Sequence, residues 1–278
     1  VSDRETHTHP LVTVSGAGSI GESVLAGLLG SGYPAARLRA TVRTAEHAGH
    51  LARSYAVEVT TDNVRAACGA DVLVLAVRPD QAEAVLAETV PQLASGAAVV
   101  SLVAGLPLDR IAPAAATRVH AFRVATNAVS IDRSGLLAVT PGRDVPEPVR
   151  DTVTGVLRRL GRVVAITEPQ QDTAASTLGS GAAFLALTAT GIDRAATEAG
   201  VSPAVARAFA ADALESAAAM LRSSDPGSAA AWDGLATPGG ITEAGLGRLL
   251  AAGAVDAMAD AVRAAVTRAA ELALPTSP

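Results

Sequence analysis

The sequence predicts an α/β fold: a doubly wound sheet domain followed by an all-helical domain. Three observations point there. Short β-branched apolar runs alternate with stretches of helical apolar spacing through the first 167 residues. A glycine-rich turn separates the first such run from the first helix. Beyond that point the chain becomes alanine-rich and shows no strand pattern.

Leu11–Ser15 (LVTVS) is the first strand and ends at Gly16. From Ser19, apolar Ile20, Val24, Leu25, Leu28 and Leu29 repeat at helical spacing, and Gly32 and Pro34 stop that helix. Leu38–Val42 reads as the second strand, Ala45–Tyr55 as a helix and Val57–Thr60 as a short third strand. Ala70–Val77 (ADVLVLAV) is nearly all apolar, as a parallel strand covered on both faces should be. A helix over Asp80–Leu93 and a strand over Ala97–Val103 follow. Further strands are expected near Arg118–Val124, Gly135–Thr140 and Gly161–Ile166, with a helix over Pro146–Leu160. After Thr167, residues 170–222 and 240–274 keep Leu and Val at helical spacing. The expected domains are a flexible polar tail 1–10, the sheet domain 11–167 and the helical domain 168–278. Small side chains let helices approach closely, which suits an intertwined dimer. A monomeric helical domain is the plainer alternative.

Composition removes several classes. No run of 18 or more apolar residues is free of charge or punctuation, which argues against a membrane span. The first ten residues, VSDRETHTHP, lack the apolar centre of a signal peptide. The single cysteine, Cys68, forbids an internal disulfide or a multi-cysteine metal site and fits the cytoplasm. A net charge of −5, 2 % aromatics and no basic block argue against nucleic acid. All 22 basic residues are arginine. Genomic base composition is the plain explanation, yet the lack of lysine still excludes a Walker loop, a Schiff base and any lysine acid or base.

Gly16-Ala17-Gly18-Ser19-Ile20-Gly21 is a G-x-G-x-x-G between a strand and a helix. Glycines there permit a tight turn and let backbone N–H groups at the helix start face a pyrophosphate. This is the Rossmann context; the alternative is a glycine turn kept for packing. The second strand ends in Thr41-Val42-Arg43-Thr44, with no acid to bind ribose hydroxyls. Arg43 suits a 2′-phosphate, and Thr44 adds a hydroxyl. That favours NADP(H) over NAD, the alternative being a solvated arginine. Ala76-Val77-Arg78-Pro79 and Val103-Ala104-Gly105 close two strands at their carboxyl ends, where ligands sit in such sheets. The small residues of the second leave room for the nicotinamide half. In the helical half, Gly179-Ser180-Gly181 and Thr237-Pro238-Gly239-Gly240-Ile241-Thr242 interrupt helical stretches. Each is read either as a helix start suited to a carboxylate or as a plain turn.

Taken together these motifs resemble the pyrroline-5-carboxylate reductase family over about residues 11–274. The glycine loop, the Ala-Val-Arg-Pro strand end and the late Thr-Pro-Gly-Gly-Ile-Thr all match. The resemblance implies a Rossmann domain plus a helical dimerisation domain, with dimers often built into rings. It implies cofactor contacts at Gly16–Gly21, Arg43, Asn63, Ala76–Pro79 and Val103–Gly105. It places Glu168 near substrate and cofactor, Gly239, Gly240 and Ile241 on a substrate carboxylate, and Thr242 on the ring nitrogen. No metal is implied.

The chain departs from the family at Ala125-Thr126-Asn127-Ala128-Val129, at Leu178-Gly179-Ser180-Gly181-Ala182-Ala183-Phe184 and at Gly234, where polar or rigid groups are replaced. A protonated cyclic imine accepts a hydride without a strong protein acid. The site therefore needs no lysine; its task is positioning, with Thr242 as the candidate proton relay. His120, the one histidine on a predicted strand, is read as structural. The expected function is NADPH-dependent reduction of 1-pyrroline-5-carboxylate to proline. A reductase of another cyclic imine in specialised metabolism and a non-catalytic NADP-binding protein are the alternatives. A hydroxyacid dehydrogenase is discounted, because its catalytic lysine is missing.

Overall fold

The computed structural model describes residues 9–111, 119–127, 135–223 and 233–273. Tail residues 1–8, the stretch 128–129 of the altered motif, and 274–278 lie outside them. Contacts divide the chain into two compact units. One runs to Gly179 and takes in the chain from Val266; the other spans Ser180–Ala265.

In the first unit the strands are β1 (Val12–Ser15), β2 (Leu38–Thr41), β3 (Glu58–Thr60), β4 (Val72–Leu75), β5 (Ala97–Ser101), β6 (Val119–Ala125), β7 (Leu136–Pro141) and β8 (Arg162–Ala165). Its helices are α1 (Ser19–Gly30), α2 (Ala45–Tyr55), α3 (Asn63–Ala67), α4 (Ala82–Thr89), α5 (Leu108–Ile111), α6 (Glu147–Arg158) and α7 (Gln171–Ala174). The eight strands form one sheet in the order β3-β2-β1-β4-β5-β6-β7-β8. Strand alternation splits the core in two. Val12, Val14, Val72 and Val74 face one layer with Leu25, Leu28 and Leu51. Leu73, Leu75 and Val99 face the other with Leu86 and Ile111. A sheet buried on both faces explains why β4 and β5 read as unbroken apolar runs.

The sheet is parallel except at one pair: β6 and β7 run antiparallel, while β7 and β8 are parallel. The connection 126–135 is shorter than the roughly dozen residues a parallel crossover needs. Two short helices were not expected. One is α3, capped by the Asp62 side chain accepting from Arg65 N at 3.0 Å; the other is α5. The helix expected over Asp80–Leu93 is α4 flanked by 3-10 turns at Pro79–Gln81 and Val90–Gln92, a proline standing in each.

Two residues of the expected tail, His9 and Pro10, are held in place. The Tyr33 hydroxyl donates to Pro10 O at 2.6 Å, Arg37 Nε donates to His9 O at 3.1 Å, and the His9 ring meets Tyr33 edge-on at 5.1 Å. Burial pushes the Tyr33 phenol above its ordinary pKa.

The second unit is helical: α8 (Gly181–Glu198), α9 (Pro203–Ser223), α10 (Ile241–Ala251) and α11 (Ala254–Ala273), whose last residues belong to the first unit. α8 and α9 pack together, with Ala206 and Ala210 buried. Gly179-Ser180-Gly181 does not break the helix, contrary to expectation. α7 continues through a π-turn at Ala175–Ser180 into α8. By contacts the sheet unit runs to Gly179, and Gln171 of α7 is buried against strands. Its side-chain amide donates to Arg123 O, Ala138 O and Thr140 Oγ1 at 3.2, 3.2 and 2.8 Å. The helical run Glu168–Glu198 is also long and apolar enough by length and composition to cross a membrane. The sequence reading passed over it because Gly, Ser and Thr punctuate it.

Candidate cofactor site

The site begins where β1 stops. Ser15 is the last residue of the strand, and Gly16 turns with φ +89°, a conformation costly for any side chain. A Cβ at Gly16 would also lie 2.6 Å from Val77 Cγ1 and 2.9 Å from Ala76 O. A Cβ at Gly21 would collide with the Gly16 carbonyl oxygen, so α1 starts directly against the loop. Gly18 differs: a Cβ there meets nothing within 4 Å. Its open side is where a pyrophosphate can approach the backbone. The loop is fastened by Ala17 N donating to Thr41 O at 2.7 Å and Gly16 N donating to Thr41 Oγ1 at 3.2 Å. No side chain caps α1, so its N-terminal turn and positive dipole end are available to an anion.

A cavity of about 660 Å³ opens at these carboxyl ends of β1, β2 and β4. It brings together the predicted Gly16, Ala17, Gly18, Arg43, Thr44 and Asn63 with Ala76, Val77 and Arg78. Ser19, Ile20, Gly21 and Pro79 are adjacent in sequence but do not line it. Thr44 caps α2, its hydroxyl oxygen accepting from His47 N at 3.2 Å. Asn63 donates to Glu88 Oε2 at 3.0 Å, so its amide is already partly engaged. Arg78 pairs with Asp80 at 2.8 Å. Sequence reading missed His47, Gln81 and Val85 on the wall. For His47 the signal was there: it stands three residues after the capping Thr44.

Val103 and Ala104 border a separate cavity of about 170 Å³, together with Ser101, Arg123, Thr126 and Gly179. Gly105 is not among its lining residues. Beside it, Arg123 is buried and paired with Asp172 at 2.8 Å and Glu168 at 3.5 Å. Glu168 Oε1 also accepts from Leu108 N at 2.7 Å. That carboxylate is committed to the sheet unit, which the motif reading did not anticipate. Asn127 Nδ2 donates to Leu178 O and Gly179 O at 3.1 and 3.0 Å, meeting carbonyls of the π-turn.

In the helical unit, Thr237–Gly240 is a tight turn into α10. Gly239 has φ +73°, and a Cβ at Gly240 would sit 2.9 Å from Thr237 O. Gly239 N donates to Glu243 Oε2 at 2.7 Å and Gly240 N to Thr237 O at 2.8 Å. Both glycine N–H groups, expected to face a substrate carboxylate, are here used by the turn itself. Ile241 is 93 % exposed. The Thr242 hydroxyl has no hydrogen-bond partner among the described residues.

A glycine loop on an uncapped helix, a second strand followed closely by Arg43 and a separate helical unit define a dinucleotide-dependent oxidoreductase. The sequence model described as pyrroline-5-carboxylate reductase dimerisation matches residues 168–272. The one described as NADP oxidoreductase coenzyme F420-dependent matches residues 11–105. A pyrroline-5-carboxylate reductase of Corynebacterium melassecola is 30 % identical over 264 residues, 94 % of this chain and 98 % of that protein. A solved pyrroline-5-carboxylate reductase from Coxiella burnetii superposes with a TM-score of 0.82 at 26 % identity, covering 95 % of this chain and 99 % of the other. A Plasmodium falciparum pyrroline carboxylate reductase with NADP bound has the same fold, with a TM-score of 0.84 at 20 % identity over 95 % of this chain and 98 % of that one. The chain belongs to the pyrroline-5-carboxylate reductase family.

Proposed function

We propose that this chain reduces 1-pyrroline-5-carboxylate to proline with NADPH. The observation that carries the reading is the cavity joining the open glycine loop to Arg43. The residues present fit the cofactor: the open side of Gly18 and the uncapped N-terminal turn of α1 would hold its pyrophosphate, and Arg43 and Thr44, on the same cavity wall, would hold a 2′-phosphate. Bound NADPH supplies the reducing equivalent for the C=N carbon. The chain supplies position. Thr242 would hold the ring nitrogen through its unengaged hydroxyl, and the Ile241 N–H would meet the carboxylate. Glu168, tied to Leu108 and Arg123, would act by fixing the carboxyl ends of the strands and not by touching substrate.

The helical unit carries Leu187 at 71 % and Phe209 at 53 % exposure, with Leu221, Leu249 and Leu250 also exposed. Apolar exposure on this scale fits a second copy of the chain, so a homodimer or a ring of dimers is part of the proposal. The free, exposed Cys68 fits a cytoplasmic setting.

A second reading, another cyclic imine, is favoured by Leu178, Ala182 and Phe184 where the family has serine, proline and tyrosine. The test follows NADPH absorbance with 1-pyrroline-5-carboxylate and a panel of imines of different ring size, with NADH alongside. Turnover is expected with pyrroline-5-carboxylate and NADPH. Turnover with another imine alone moves the substrate. Tight NADPH binding with no turnover on any of them means a non-catalytic protein.

A further inference from the structure

The basic end of the cofactor cavity holds a titratable ring that the reaction does not use. His47 stands in the first turn of α2, its backbone N–H held by the Thr44 hydroxyl oxygen. That cap carries the imidazole into the cavity wall beside Arg43 and Thr44. The ring is half-buried and has no hydrogen-bond partner among the described residues. Arg43 is exposed on the same wall and makes no ion pair among them. The other charges near this end are engaged or distant in role. Arg78 and Asp80 neutralise each other before α4. Asp62 caps α3, and Glu88 of α4 takes the Asn63 amide. On α2 itself, Glu46 and His50 are both exposed. Besides the paired Arg78 and Asp80, the wall thus offers two basic groups, one permanent and one switchable, neither in an ion pair among the described residues.

We propose that His47 is a second phosphate-selecting residue, and that its protonation makes the preference for NADPH over NADH depend on pH. The inference rests on the NADPH reading above. A phosphate monoester is largely dianionic above about pH 6. Imidazole is the side chain that ordinarily changes charge between pH 5 and 8. In its imidazolium form the ring would join Arg43 in attracting the 2′-phosphate, and NADPH would gain; in its neutral form Arg43 would act alone. NADH has no 2′-phosphate, so its binding does not gain from the charge. The attraction is short-ranged and weakens with salt.

The test is calorimetric binding of NADPH and NADH to the whole protein at pH 6.5 and 8.5 in low salt. The ratio of the two Kd values cancels effects common to both cofactors. It is expected to favour NADPH about three- to tenfold more at the lower pH. His47→Gln should flatten that response, and His47→Arg should hold the ratio high at both pH values. A ratio that ignores pH in the parent, or that responds unchanged in His47→Gln, overturns the role of His47. Arg43→Ala separates this from the underlying reading. Equal loss of NADPH and NADH in that variant sinks the 2′-phosphate site itself. Selective loss of NADPH together with an unaltered pH response in His47→Gln sinks only the histidine.

Discussion

Three glycines of one loop do three different things. Gly16 is required by its backbone angle and by Val77 and Ala76 standing over it; Gly21 is required by the Gly16 carbonyl. Neither requirement concerns a ligand. Gly18 has an ordinary extended backbone and empty space beside it, so neither strain nor packing requires glycine there, and the proposed pyrophosphate would give it a reason. The two kinds of glycine are separable by substitution. Gly18→Ala should fold with a Tm within about 2 °C of the parent while weakening NADPH binding about tenfold or more. Gly16→Ala should lose about 1–3 kcal/mol of stability by urea denaturation. Unaltered NADPH affinity in Gly18→Ala would remove the loop from the pyrophosphate.

Between residues and domains, the π-turn at Ala175–Ser180 is the element that sequence patterning misreads. Gly179 and Gly181 look like a helix break, since glycine lowers helix stability by roughly 1 kcal/mol relative to alanine. Tertiary contacts override that cost. A π-turn misaligns local backbone pairing, and the Asn127 amide donates to the Leu178 and Gly179 carbonyls. Asn127→Leu should therefore cost about 1–3 kcal/mol. Amide hydrogen exchange should quicken around 176–182 before it does in β1, β4 and β5. Exchange that stays unchanged there would show that the turn holds without Asn127. The same logic explains α3. Its five residues are too few to register as a periodic pattern, yet the Asp62 cap is enough to start it once α3 packs against β1 and β2.

At the scale of the molecule, each unit presents its own kind of surface. The sheet unit buries nearly all its large apolar side chains in two layers. The helical unit leaves Leu187, Phe209, Leu221 and Leu250 exposed, in the region matched by the family's dimerisation domain. A second copy of the chain would cover side chains exposed in this way. Leu187→Asp is expected to turn a dimer into a monomer in sedimentation velocity at micromolar concentration, while Val164→Asp on the edge strand β8 leaves the dimer intact. An unchanged sedimentation coefficient in Leu187→Asp would place the contact elsewhere.

The alternation of strands and helices, the glycine loop and the arginine just after β2 were legible in the sequence, because each depends on local periodicity or on a few adjacent residues. The helical second half was legible from alanine, leucine and valine spacing alone. Only tertiary structure decided that β7 reverses against β6 and that α7 belongs with the sheet. It alone showed that the Glu168 carboxylate is engaged by Leu108 and Arg123. Those outcomes depend on partners far apart in the chain, such as Gln171 with Thr140 or Glu168 with Leu108, whereas the bonds of Gly239 and Gly240 are local to their turn. A hydrogen bond closing so long a loop has no period and no neighbouring residue to announce it.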